Sequence, residues 1–99
     1  MVTASVAFQV MPKVPDRRDS IPVIDKAIEI VKQSGVVYEV GPMETTMEGE
    51  LDTLIGIVKK SIQACVDDGA QSVFTNIKVL YNPKGIMTIN EKVTKHRSK

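Results

Sequence analysis

A run of acidic, hydroxyl and glycine residues at the centre of the chain holds the side chains best suited to bind a small molecule. Glu48 precedes Gly49 where a strand is expected to end and a helix to begin, and a carboxylate there can accept hydrogen bonds from an amine or amidine. Thr45 and Thr46 supply hydroxyl groups just before it. Two structural interpretations stay open: Glu48 caps the following helix, and Thr45 completes the preceding turn.

Other chemistry has little support in the sequence. Cys65 is the only cysteine and lies on an apolar helical stripe, and His96, the only histidine, lies in a basic tail. A nucleophilic pair of these two residues is therefore not expected. Glu44, Glu48 and Glu50 are the best carboxylate cluster, but their spacing is more typical of a solvated edge than of a metal site. The sequence predicts no catalytic residue, no metal ligand and no resident cofactor.

Composition restricts the class of protein. Ninety-nine residues with a 42% hydrophobic fraction are expected to form a single domain, residues 1–99. The net charge of +1 gives no electrostatic basis for binding nucleic acid or an anionic membrane surface. No apolar run approaches the roughly twenty residues that cross a bilayer. A cytoplasmic protein is the expectation.

Hydrophobic periodicity and turn residues predict the elements that position the central run. Alternation predicts a first strand that Pro12 ends, and Gly41 with Pro42 is predicted to turn a hairpin. Thr88 and Glu91 have the spacing of a capping box. The predicted strands are 2–11, 36–40, 44–48 and 73–81, and the predicted helices are 21–34, the segment between Gly49 and Gly69, and about 88–96.

The order β-α-β-β-α-β predicts an α+β, ferredoxin-like sandwich. Its four-stranded antiparallel sheet has two helices on one face, with a short C-terminal helix added. The other face, here called the open face, must then meet water, a ligand or another subunit. Gln9 is a candidate ligand-binding residue because it lies on this face. Phe74 and Leu80 also lie there, and apolar area left open would favour oligomerisation.

The central run resembles a known family. Residues 34–43, followed by Thr45, Glu48, Gly49 and Glu50, are similar to the signature of the UPF0045 family of small thiamine-binding proteins. The resemblance extends over nearly the whole chain. It implies a ferredoxin-like subunit that assembles into homodimers or homotetramers. It also implies binding of thiamine or its hydroxymethylpyrimidine moiety without a known reaction.

The family resemblance assigns site residues by position. Thr45, Glu48 and Gly49 match the family motif, whereas Thr46 stands where an aliphatic residue is more common and Glu44 replaces a small residue. Glu48 would pair with the aminopyrimidine edge, and Thr45 would add a hydroxyl contact. Apolar lining is expected from Met43 and Tyr38, together with Met47 and Phe74.

The residues and the family resemblance together leave three functional hypotheses. The leading hypothesis is a non-enzymatic carrier, buffer or sensor of thiamine or its pyrimidine. The alternative is a structural or protein-interaction module whose oligomer is the functional unit, without a small-molecule ligand. A hydrolase of small esters is the third, and it has no identifiable pair of base and nucleophile.

Overall fold

The computed structural model of the chain describes residues 2–15 and 19–97, and it describes the side chains of the last helix only as far as Val93. The side chain of His96 therefore lies outside the described residues. Within the described residues the strands are β1 (Ala4–Lys13), β2 (Val37–Val40), β3 (Thr45–Gly49) and β4 (Ser72–Tyr81), and the helices are α1 (Ile21–Gln33), α2 (Leu51–Asp67) and α3 (Ile89–Arg97).

The four strands form one antiparallel sheet in the order β2-β3-β1-β4. This order, with the element order β-α-β-β-α-β, is the ferredoxin-like arrangement, so the predicted fold class is confirmed. β1 and β3 occupy the centre, and β2 and β4 form the two edges. The central run of the sequence therefore spans an edge strand and its central neighbour.

Predicted boundaries agree closely with the structure except in β1, which is predicted at 2–11 and found at Ala4–Lys13. Pro12 was expected to end the strand, but β1 continues to Lys13 and Pro12 pairs with Val73. The pairing of β1 with β3 stops at Phe8, so Pro12 lies where β1 has β4 as its only described partner. A proline is tolerated there because the missing N–H breaks a ladder on one side at most.

The core lies between the sheet and helices α1 and α2. One face of β1 is buried at alternate residues, and Met47 of β3 lies opposite Val6 in the register. The two helices are joined by a buried hydrogen bond in which the Ser61 hydroxyl donates to the Ala27 carbonyl at 3.1 Å. The core residues are Ala4, Val6, Phe8, Val10, Val23, Ala27, Val31, Met47, Leu54, Ile57, Val58, Cys65 and Ala70.

Helix ends follow the local sequence. Gly69 has a φ of 104° after α2, and the amides of Gly69 and Ala70 donate to the carbonyls of Val66 and Cys65, as in a Schellman motif. Before α3 the Thr88 hydroxyl accepts from the Glu91 amide at 3.1 Å, and the Glu91 carboxylate accepts from the Thr88 amide at 2.8 Å. The predicted capping box is confirmed.

The position of α3 differs from the expectation that only one face of the sheet carries helices. After β4 the chain turns back over the sheet: the Asn82 amide donates to the Thr3 carbonyl, and the Ile86 amide to that of Val2. The following helix reaches Glu48, which lies on the open face. Part of the open face is thus covered by the chain's own C-terminal segment. No described helix is long and apolar enough to cross a membrane.

Candidate functional site

The hairpin of β2 and β3 places two sets of side chains on opposite faces of the sheet. Met47 is fully buried on the helix-covered face, so its neighbours Thr46 and Glu48 point to the open face. Glu39 of β2 lies opposite Thr46 in the register, and Val37 lies opposite Glu48. The open side of this hairpin therefore carries the Thr46 hydroxyl and the Glu48 carboxylate from β3 and the Glu39 carboxylate from β2.

The turn of the hairpin is tight, and it needs glycine at its first position. The Gly41 amide donates to the Glu44 carbonyl at 2.9 Å, which closes residues 41–44 into the turn. A Cβ atom on Gly41 would lie 2.9 Å from that same carbonyl oxygen, closer than side chains tolerate. Met43 is at the tip and is 73% exposed, so its thioether is available to a ligand.

A cleft of about 520 Å³ lies between the open side of the hairpin and α3. This volume is within the range of small-molecule sites, about 300–1,000 Å³. The sheet and its turn form one wall, and α3 forms the other. The open-face cleft is lined by Glu39, Gly41, Pro42, Met43, Glu44 and Thr46 on the first wall and by Ile89, Lys92 and Val93 on the second.

Charge in the open-face cleft is mixed, with more acid than base. Glu39 and Glu44 are its acidic residues, and Lys92 of α3 is its basic one. The Glu44 carboxylate also lies 3.1 Å from the Lys78 ammonium of β4, with Lys78 largely exposed. Two carboxylates and one ammonium give the lining a slight excess of negative charge, which suits a ligand with a delocalised positive ring.

Glu48 is close to the open-face cleft but does not line it. Its side chain is only 8% exposed, and its Oε1 accepts a hydrogen bond of 2.5 Å from the Ile89 amide, the first of α3. Glu48 does not cap α2, the helix that follows it in the sequence. The N-cap residue of α2 is Glu50, and no side-chain hydrogen bond caps that helix. Glu48 caps α3 instead.

Thr45 and Tyr38 lie on the other face of the sheet. Thr45 pairs with Phe8 and Val40, is buried, and lines a smaller pocket of about 270 Å³ between the hairpin turn and α1. Tyr38 pairs with buried Met47 on the same face. This second space, the helix-face pocket, shares the turn with the open-face cleft but is separated from it by the sheet.

Neither Gln9 nor Gly49 lines the open-face cleft, and Gln9 instead lines the helix-face pocket. Gln9 of β1 is on the open face opposite Asn76, beside a shallow depression that Met43 and Glu44 also line. Gly49 ends β3 opposite Ala4, at the far end of the hairpin from the turn. The structure thus brings Thr46 and Met43 together in one cleft. Glu48 lies behind α3, and Thr45 and Tyr38 lie across the sheet.

Several residues that line the open-face cleft are not among the site residues predicted from the sequence. Glu39 carries a usable signal, because it alternates with Tyr38 in β2 and so shares the open face of Thr46. Ile89, Lys92 and Val93 carry no such signal, since nothing local in the sequence indicates that α3 folds back onto this hairpin. Among the described residues no group of three or more His, Cys, Asp or Glu side chains is placed to hold a metal ion.

Cys65 is unsuited to nucleophilic chemistry. The thiol lies in the core between α1 and α2, within 3.9 Å of the Val23 carbonyl. Burial, and secondarily the negative charge of Asp68, raises the pKa of the Cys65 thiol. A buried thiol that resists ionisation is a core residue rather than a reactive one.

Comparison with known proteins gives a consistent set of relatives. A family model described as "Thiamine-binding protein" matches residues 6–97. A UPF0045 protein of Clostridium perfringens is 48% identical over 97 residues, covering 98% of this chain and all of the relative.

Solved structures show the same likeness. A Bacillus cereus structure, described as a domain of unknown function of the DUF77 class, superposes with a TM-score of 0.90 at 52% identity, covering 99% of this chain and 94% of its own. A Thermotoga maritima protein, provisionally named for thiamine biosynthesis or salvage, has a TM-score of 0.82 at 38% identity, with 96% and 99% covered. Sequence and fold together show that this chain belongs to the UPF0045 family of thiamine-binding proteins.

Proposed function

We propose that this protein binds thiamine, or its hydroxymethylpyrimidine moiety, in the open-face cleft and releases it unchanged, as a carrier, buffer or sensor. The observation that carries the proposal is the cleft itself, about 520 Å³ in volume, with Glu39, Gly41, Pro42 and Met43 of its lining drawn from the stretch that resembles the family signature. The family match and the provisional thiamine assignment of the Thermotoga maritima relative support it.

The chemistry of the lining suits this ligand. Thiamine joins an aminopyrimidine, whose edge offers donors and acceptors, to a cationic thiazolium ring. Thr46 presents a hydroxyl, and Glu39 presents a carboxylate from the neighbouring strand. Met43 and Val93 supply apolar area against which a ring can pack. Binding sites for such molecules typically combine an apolar lining with a few placed polar groups.

Two placements of the ligand are distinguishable. A ligand in the open-face cleft contacts Thr46, whereas Gln9 lines the helix-face pocket and Met43 lines both spaces. A ligand that contacts Thr45 must enter from the helix-covered face, where the pocket does not include Tyr38 in its lining and is about half the volume, 270 Å³ against 520 Å³. We place thiamine in the larger space because it alone is flanked by Glu39 and Lys92 as well as by the turn.

Isothermal titration of the whole chain with thiamine, and separately with the pyrimidine, tests this placement. Thr46→Val and Thr45→Val are matched, nearly isosteric variants of neighbouring residues on opposite faces. We expect Thr46→Val to weaken binding about tenfold, the value of a lost hydrogen bond, and Thr45→Val to leave affinity unchanged. The opposite pattern would move the ligand to the helix-face pocket. Absence of heat and of thermal shift at millimolar ligand would reject the function.

Binding without chemistry is part of the proposal. The only cysteine of the chain is buried with a raised pKa, which removes one nucleophile from consideration. We propose no cofactor beyond the bound ligand and no nucleic-acid partner, and we place the protein in the cytoplasm because its sequence, with one free thiol and balanced charge, suits a reducing compartment.

The second candidate function is an oligomeric interaction module, and the edge strand β4 favours it. Phe74 and Leu80 are 66% and 52% exposed on the open face, and Ile77, Val79 and Tyr81 are about half exposed on the other. A long apolar edge strand tends to pair with another chain. We propose a homodimer or homotetramer that uses this strand, an assembly compatible with ligand binding.

A further inference from the structure

We propose that Glu48 is a positioning residue, which holds α3 in place as the second wall of the open-face cleft without touching the ligand. The inference rests on the proposed function for its ligand, but the contact between Glu48 and Ile89 can be tested without any ligand. It assigns to Glu48 a role different from the direct ligand contact that the sequence suggests.

α3 has nine residues, fewer than an isolated helix needs in water, so its formation depends on caps and tertiary contacts. Its local caps are the reciprocal bonds between Thr88 and Glu91 and the bond from the Lys92 amide to the Thr88 carbonyl at 3.0 Å. These bonds lie within one turn, so they stabilise the helix wherever it lies and do not determine its position.

A contact at its first amide holds α3 against the sheet. The Ile89 amide is an N-terminal donor without a partner in its own helix, and it donates to Glu48 Oε1, 41 residues away in the sequence. In the segment before α3, the Ile86 amide donates a hydrogen bond to the carbonyl of Val2, which lies just before β1. The Glu48 contact therefore joins the beginning of α3 to the centre of the sheet.

Glu48 is 8% exposed, and a buried carboxylate is stable only with hydrogen-bond partners. The N-terminus of a helix is a favourable partner, because its free amides and its dipole both stabilise negative charge. The Glu48 carboxylate gains a donor and the Ile89 amide gains an acceptor, so loss of either partner should release α3 from the sheet.

Ile89, Lys92 and Val93 form the α3 wall, whereas Glu48 itself is absent from the lining. Release of α3 would remove that wall and open the cleft to solvent. Ligand affinity should then depend on Glu48 through the position of α3, and an uncharged acceptor at residue 48 should preserve much of it.

Hydrogen exchange of the full-length protein without ligand tests the contact directly. For Glu48→Ala we expect about tenfold faster exchange at the amides of Glu91, Lys92 and Val93, because a hydrogen bond to a charged group is lost. Glu48→Gln keeps an oxygen acceptor and should exchange within about threefold of wild type. Glu50→Ala is the matched control, since Glu50 is exposed and makes no cap bond.

Ile89→Pro provides the same test from the donor side, which matters if Glu48→Ala fails to fold. Proline lacks the amide hydrogen yet is well accepted at the first position of a helix. Ile89→Ala loses the same side chain and keeps the amide, so the excess exchange in Ile89→Pro measures the contact alone. Unchanged exchange in α3 for these variants, or equal acceleration in α3 and in the core strand at Val6, would overturn the role.

Titration with thiamine completes the test. Glu48→Ala should bind about tenfold more weakly, with Glu48→Gln restoring most of the affinity, and Ile89→Pro should bind more weakly than Ile89→Ala. If Glu48→Gln is as weak as Glu48→Ala, Glu48 contacts the ligand through its charge and the positioning role is wrong. If the wild-type protein binds no thiamine, the proposed function fails while the exchange data still decide the role of Glu48.

Discussion

The Lys78 ammonium lies 3.1 Å from the Glu44 carboxylate, and this ion pair connects edge strand β4 to the hairpin turn across the open face. Because Lys78 is 72% exposed, the pair contributes little to stability, at most about 1 kcal/mol. Its importance is for the open-face cleft, where Lys78 partly neutralises the negative charge of Glu44.

Removal of Lys78 should therefore strengthen binding of a cation. We expect Lys78→Met to bind thiamine about two- to fivefold more tightly at low salt, and the gain to shrink as salt rises. The hydroxymethylpyrimidine alone is uncharged at mildly alkaline pH and should not respond. Calorimetry with both ligands checks this, with Lys84→Met as the control at an exposed lysine outside the cleft. Equal gains for both ligands would show that charge is not the cause.

Gly41 and Gly56 should respond oppositely to alanine. In Gly41→Ala the new Cβ meets the Glu44 carbonyl oxygen at 2.9 Å, so the turn must shift, at a cost of about 1 kcal/mol or more. In Gly56→Ala no atom beyond the neighbouring backbone of its own helix lies within 4 Å of the added Cβ, and the residue is inside α2, so a gain of about 0.5–1 kcal/mol is expected. Urea denaturation measures both, and a tolerated Gly41→Ala would contradict the turn geometry.

Cys65 should make the protein sensitive to alkaline pH. Its pKa is raised in the folded state by burial and then by Asp68, so the unfolded thiol ionises at lower pH than the folded one. The contribution of Cys65 to the free energy of unfolding is therefore fully present below the pKa of the unfolded thiol. It is lost as the pH rises from that value to the pKa of the folded thiol. Urea denaturation between about pH 7 and about pH 10 should show a steeper loss in wild type than in Cys65→Ala. Parallel curves for the two proteins would refute this.

The exposed face of β4 should govern association. We expect the wild-type protein to be dimeric or tetrameric by light scattering, and Phe74→Ser to shift the equilibrium toward monomer by removing an exposed aromatic side chain. Ile21→Ser is the control, because Ile21 is similarly exposed on α1, away from the edge strand. A wild-type monomer at high micromolar concentration would argue against assembly.

The fold was predictable from local patterns. Alternation in β1 gives the buried face of Val6 and Phe8, and the Thr88–Glu91 spacing gives the start of α3, because strand pleat and helix caps act within a few residues. The extension of β1 through Pro12 was not predictable in this way. It depends on which neighbours β1 lacks at that point, which is a property of the sheet rather than of the strand.

The site was predictable only in part. The central run of the sequence does line the open-face cleft, through Met43 and Thr46. Its division between two faces follows from alternation along β3, which is a local signal, whereas the buried state of Glu48 depends on an amide 41 residues away. No periodicity or spacing in the sequence indicates a long-range contact of this kind.

Binding in the open-face cleft is tested most directly by titrating the isotopically labelled full-length protein with thiamine and following its backbone amide resonances by NMR. Saturable shifts are predicted at Glu39, Gly41, Thr46 and Ile89, with the exposed end of α1 at Gln33 unaffected. Amides that do not move at millimolar thiamine, or shifts confined to Thr45 and the helix-face pocket, would contradict the proposal.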